Sequence, residues 1–157
     1  MKKYFIYMMA VGLTTVTTIS CKSTRSQTKS EQVENNLSYN VILDDQLSLI
    51  KEQKVYQIKT QNDLANIYGK LNSTRKPGVP VPKIDFDKKA VFAFALGQRN
   101  TGGYHVEIKS IEKKGDETTI NYKILEPSGM AMQAITTPIY VIDIENSSKK
   151  YKLNEVK

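Results

Sequence analysis

The side chains able to do chemistry are few, and their spacing excludes more than it allows. The chain holds one histidine and one cysteine, whereas a Ser-His-Asp or Cys-His arrangement needs a base beside its nucleophile. His105 shares the parity of Glu107 and Lys109 in an alternating stretch, which is the polar side of a strand, so it is expected at the surface and not as a general base. Carboxylate pairs stand at Asp44-Asp45, Asp85/Asp87 and Asp143/Glu145. None has the ligand spacing of a calcium loop, and no second histidine supports a zinc site. They read as turn and strand-end residues. No metal or cofactor is expected, and the chain is expected not to be an enzyme. What remains is Gly97-Gln98-Arg99-Asn100-Thr101-Gly102-Gly103-Tyr104. It superficially resembles a phosphate loop, but the required lysine is missing and a strand follows where a helix should. Its glycines permit positive φ and close approach, while Arg99, Asn100 and Thr101 present donors and acceptors to a partner. Gln98, Arg99, Asn100, Thr101, Gly102, Gly103 and Tyr104 are therefore the candidate partner-binding residues. The structural alternative is that Gly102-Gly103 only makes the turn, Arg99 pairs locally and Tyr104 packs in the core.

The elements that must hold this loop follow from hydrophobic period. The apolar run 90–96 is too short for an isolated helix and suits a buried strand. After the glycines, Tyr104, Val106 and Ile108 alternate with His105, Glu107 and Lys109, so the loop reads as a hairpin tip between two paired strands. Upstream, 39–43 is a plausible strand, 47–50 a short element and 55–58 a strand. Thr60-Gln61-Asn62-Asp63 has the pattern of a helix start, and Leu64, Ile67, Tyr68 and Leu71 form one stripe, giving a helix over 61–71. Pro77, Pro80 and Pro82 make 72–83 an extended connection, and Asp85-Phe86-Asp87 opens the central strand. Lys114-Gly115-Asp116 reads as a hairpin turn before alternating Thr118, Ile120, Tyr122 and Ile124. An irregular link, 126–137, contains two methionines suited to covering an open core or a partner's apolar surface. Residues 139–144 are apolar on both faces, hence central, and Asn146-Ser147-Ser148 turns into a last strand with Tyr151 and Leu153. The fold class is α+β, a mostly antiparallel sheet of about six to seven strands with one amphipathic helix on a face. A small β-sandwich is the alternative.

The 157 residues suffice for one domain, expected at 38–157. The formal charge is +7, but its lysine pairs 88-89, 113-114 and 149-150 are separated and sit near turns, a solvating rim and not a nucleic-acid footprint. Residues 1–20 read as an export signal: Met1-Lys2-Lys3 is positive, an apolar and small-residue stretch follows, and its Thr-rich half suits a spanning helix poorly. Removing Lys2 and Lys3 with that segment leaves +5. Thr18-Ile19-Ser20-Cys21 resembles the lipobox of bacterial lipoproteins, with Thr18 where that pattern more often has an aliphatic residue. The resemblance implies that Cys21 is acylated and anchors the chain in a bilayer, in the cell envelope on a periplasmic or outer-membrane face. A plain signal peptide is the alternative. Residues 21–37, nearly devoid of apolar side chains at their start, are expected to form a flexible tether.

The motif 97–104, followed by Val106 and Ile108, resembles the PrcB C-terminal domain family, with a core motif region of 90–144. Glu126-Pro127, Gly129, Gln133 and Thr137-Pro138 extend the resemblance, while Asn100 stands where the family more often has proline and Ile139 where it has an aromatic residue. The family is named after the lipoprotein subunit of a bacterial surface protease complex of the dentilisin type. The resemblance implies a non-catalytic binding or accessory module whose 97–104 loop contacts a protease or another envelope protein. An alternative comes from Asn100-Thr101-Gly102-Gly103-Tyr104, which is loosely similar to the Thr-Thr-Gly-Tyr loop of chagasin-type cysteine-protease inhibitors. That similarity implies a protease inhibitor with residues 99–104 as its inhibitory element.

Overall fold

The computed structural model describes residues 30–31, 37–129, 133–146 and 148–157. Cys21 with the expected signal segment, and Met130 and Met132, lie outside the described residues. In chain order the elements are β1 (Ser30–Glu31), β2 (Tyr39–Asp45), β3 (Gln53–Ile58), α1 (Gln61–Asn72), β4 (Lys89–Leu96), β5 (His105–Lys114), β6 (Glu117–Leu125), β7 (Ile139–Glu145) and β8 (Lys150–Glu155). No helix among the described residues is long and apolar enough to cross a membrane.

The helix forms where the sequence placed it. Thr60 has extended backbone and its Oγ1 accepts from the Asp63 amide at 3.1 Å, satisfying one of the free donors of the first turn. Leu64, Ile67, Tyr68 and Leu71 are all buried on one stripe, each worth about 1.5–3 kcal/mol if an aliphatic side chain of that size leaves water. The proline-rich connection is tied back to the helix at both ends: Gln61 bonds the Pro82 carbonyl and the Ile84 amide, and Asn72 does the same for both backbone groups of Val79.

The strands make two sheets, not one. The five-stranded sheet runs β1-β2-β7-β4-β3 and is antiparallel throughout; the three-stranded sheet runs β5-β6-β8. The class is α+β with mostly antiparallel strands, and the sandwich considered as an alternative is present inside it. Alternate residues of β4 divide the interior. Phe92, Phe94 and Leu96 face Val106, Ile108, Ile111, Ile120 and Tyr122 of the second sheet, whereas Val91, Ala93 and Ala95 face the helix stripe. The order is therefore helix, large sheet, small sheet. β4 and β7 are buried on both faces because they lie in the middle layer.

Four expectations need correction. β4 and β5 do not form a hairpin: β4 is flanked by β3 and β7, and residues 97–104 cross from the large sheet to the small one. The physical reason is that β4 needs cover on both faces while β5, polar on alternate residues, suits a sheet with one wet face. β8 runs parallel to β6, because the chain leaves β7, turns over Asp116 through the Lys149 and Lys150 amides, and enters the second sheet in the direction of β6. Asp85 does not open β4; its carbonyl accepts from the Lys88 and Lys89 amides in a turn, and the strand starts at Lys89. Residues 47–50 make only an isolated bridge, Leu47 to Thr137. In the segment read as tether, Ser30–Glu31 pairs with Tyr39 and Asn40 of β2. The turn at Gly115 does join β5 and β6 antiparallel, with Gly115 at φ +61°.

Candidate functional site

At one end of the sandwich three separate segments, 46–50, 97–104 and 133–138, are bonded into a single surface. Gly97 begins the crossover at φ +74°, and a β-carbon there would stand 2.8 Å from the Gln53 amide nitrogen, so no other residue fits without displacing β3. The loop then runs beside the third segment, with Arg99 and Thr136 exchanging both backbone bonds at 2.8 and 2.9 Å and Thr136 Oγ1 donating to the Thr101 carbonyl at 2.8 Å. Gln46 clamps the far end: its Oε1 accepts from the Gly103 amide and its Nε2 donates to the Tyr104 carbonyl. Thr137 closes the frame. Its carbonyl accepts from the amide and hydroxyl of buried Ser48, and its Oγ1 accepts from the Leu49 amide at 2.8 Å.

This frame displays a mixed polar and apolar face. Gln98, Asn100 and Gly103 are exposed, while Arg99, Thr101, Gly102 and Tyr104 are half-buried. The structural alternative is thus realised in part, since Arg99 Nη2 bonds Gln53 Oε1 at 2.8 Å, its guanidinium lies 4.9 Å from the Tyr104 ring centroid, and Tyr104 packs against the inter-sheet core. Arg99 Nε is buried without a hydrogen-bond partner among the described groups. Beside the loop, Leu47, Leu49 and Ile135 are exposed at 41%, 38% and 69%. Leu49 also has φ +61°, the one non-glycine residue with positive φ among those described. A leucine in that region costs about 1–2 kcal/mol, and the bonds from Thr137 and Ser48 to its flanks hold it there. Residues held in such sparsely populated backbone regions cluster at functional sites.

The sequence singled out the loop, and Thr137 as part of the family pattern, but missed Gln46, Ser48, Leu49 and Thr136. The Thr136-Thr137-Pro138 step, polar residues directly before an apolar strand, was the available signal; nothing in the sequence marked Leu49. The titratable groups are dispersed. His105 Nδ1 lies 3.8 Å from Asp44 Oδ2, both half-exposed, and burial pushes the Asp44 carboxyl above its ordinary range although His105 pulls the other way. Asp45 holds Arg75 through two bonds of 2.8 and 2.9 Å, and buried Asp143 is paired with Lys89 and Asn40. Exposed Asp85 is held below its usual range by Lys88. No group of three or more His, Cys, Asp or Glu able to hold a metal occurs among the described residues.

The crossover loop lies within a recognised sequence unit, near its start. Residues 90–145 match the PrcB C-terminal family. No match is found among curated proteins or among solved structures. The PrcB C-terminal segment begins at the second residue of β4 and ends with β7, so it contains the two double-covered strands, the β5–β6 hairpin and two of the three segments of the site. The third, 46–50, lies outside it, as do α1, β3 and β8.

Proposed function

We propose that the chain is a non-catalytic accessory module of the cell envelope, anchored through acylated Cys21, which docks on a protease complex or another envelope protein through the end of its sandwich. The observation that carries this reading is the pinned surface of residues 46–50, 97–104 and 133–138, where exposed Leu47, Leu49 and Ile135 stand on the segments bonded to the polar loop and to one another. Exposed apolar side chains gathered on one rigid face favour a protein contact. The PrcB C-terminal match supports association with a protease complex. Geometry favours a docking face over an inserted inhibitory loop: the backbone groups of Arg99, the carbonyls of Thr101 and Tyr104 and the Gly103 amide are engaged inward. A loop entering a protease cleft would need such groups free.

The test is recovery of partners from detergent-solubilised envelope after crosslinking from position 100. Wild type is expected to retain a defined partner, and a Leu49→Gly, Ile135→Ser variant to lose it with stability unchanged within about 1 kcal/mol, since glycine relieves positive φ as it removes the side chain. Identical partner lists would remove the docking face. Separately, Cys21→Ala is expected to shift the protein from the membrane pellet to the soluble fraction and to abolish an acyl mass on the mature N-terminus.

A further inference from the structure

Next to the site lies a strand edge that the accessory-module reading leaves unused. β3 terminates the large sheet: it pairs with β4, and among the described residues no other backbone bonds it. Native proteins seldom leave such an edge both free and next to an apolar opening. Here a cleft of about 230 Å³ of mixed polar and apolar lining opens between the sheets along β3, with Val55, Phe94 and Leu96 on one side, Tyr122 and Ile124 on the other, and Gln53 and Lys54 of β3 itself. That is below the ~300–1,000 Å³ of typical small-molecule sites, and suits a side chain presented from an extended backbone.

We propose that β3 is completed by an extended acidic segment of a partner protein, which adds as a sixth strand and inserts an apolar side chain into this cleft. The proposal rests on the accessory-module reading and supplies the chemistry of its partner. Side chains of an added strand alternate between the two faces of the sheet. Those level with Gln53 and Val55 overlie the cleft. Those level with Lys54 and Tyr56 lie on the helix face, where Lys54 Nζ sits 5.2 Å from the Tyr56 ring centroid. Charge favours an acidic segment: β3 itself carries Lys54, and Lys51 and Lys59 stand just beyond its two ends against Glu52 alone. Arg99 adds a further cation nearby, its Nη2 bonded to Gln53, which lines the cleft. The matching segment places an apolar residue on the cleft face level with Val55 and carries carboxylates level with Lys54 and toward its two ends, near Lys51 and Lys59.

The experiment is selection of a displayed library of random octapeptides on the full chain, followed by titration of the enriched peptides as synthetic, end-blocked molecules. Enriched sequences are expected to combine Asp or Glu with an apolar residue, to slow amide hydrogen exchange in β3, and to bind Lys54→Glu at least tenfold more weakly. Ile124→Phe, which narrows the cleft, is expected to weaken them similarly while its melting temperature stays near that of wild type. Absence of enrichment, enriched peptides lacking carboxylates or an apolar residue, protection mapped away from β3, or self-association through β3 without peptide would each overturn the proposal. An envelope partner retained equally by wild type and Lys54→Glu would leave the accessory-module reading standing and eliminate strand addition.

Discussion

Gly97 is the residue on which the site turns, because it alone lets the chain leave β4 and pass within van der Waals distance of β3. Its β-carbon would meet the Gln53 amide at 2.8 Å and the Lys51 carbonyl at 3.0 Å, both backbone atoms that cannot swing aside. Gly97→Ala therefore combines backbone strain of about 1–3 kcal/mol with a steric clash, and is expected to lower the melting temperature clearly in a calorimetric scan. Gly115 supplies the contrast. It too has positive φ, but nothing lies within 4 Å of an added β-carbon, so Gly115→Ala should show only the conformational cost, about 1 kcal/mol. The loop glycines were legible as hinges because their requirement is local. Leu49 was not, since a leucine adopts positive φ only when a frame such as Thr137 and Ser48 imposes it.

At the scale of elements, α1 docks on the large sheet through its stripe, and Tyr68 has the one polar atom of that stripe. Its hydroxyl donates to the Ile42 carbonyl at 3.3 Å, and burial pushes its pKa up to about 12. The folded pKa is raised above the unfolded value of 10.0, so the stabilisation is fully present below pH 10 and is lost as pH rises through about 12. Tyr68→Phe is expected to cost about 1 kcal/mol at neutral pH through the lost hydrogen bond, and to flatten the decline in denaturant midpoint between pH 10 and 12. A parallel decline in both proteins would refute the assignment. The helix, its cap and its stripe were readable because period and capping are short-range signals. Two bulges were not: one between Val41 and Leu43 turns Leu43 to the helix side, and one between Ile108 and Ser110 re-aims Ile111 into the inter-sheet core.

For the whole molecule, the matched segment 90–145 is the middle of the fold but not a fold by itself. Removing the rest strips α1 from one face of β4 and β7, β3 from one edge and β8 from the second sheet, leaving Val91, Ala93, Ala95, Ile139 and Val141 without cover. A fragment of residues 90–145 is expected to give a poorly dispersed amide NMR spectrum or to aggregate, while residues 37–157 give a dispersed one. A folded fragment would mean that the helix layer is dispensable. The same dependence bears on function, since 46–50 comes from outside the matched segment yet completes the site.

The amino-acid order alone specified which stretches are strand or helix, where the glycine-rich loop lies, and that the chain carries the PrcB C-terminal pattern. Each depends on contacts between residues near in sequence, or on a linear motif. Apart from the β5–β6 hairpin, which strands are neighbours was decided only in three dimensions. A run such as 90–96, apolar on both faces, states that it must be covered twice but not by what, and the cover came from a helix before it and a hairpin after it. Partner choice between strands is set by summed burial over the whole core, so the loop that looked like the tip of one hairpin became a bridge between two sheets.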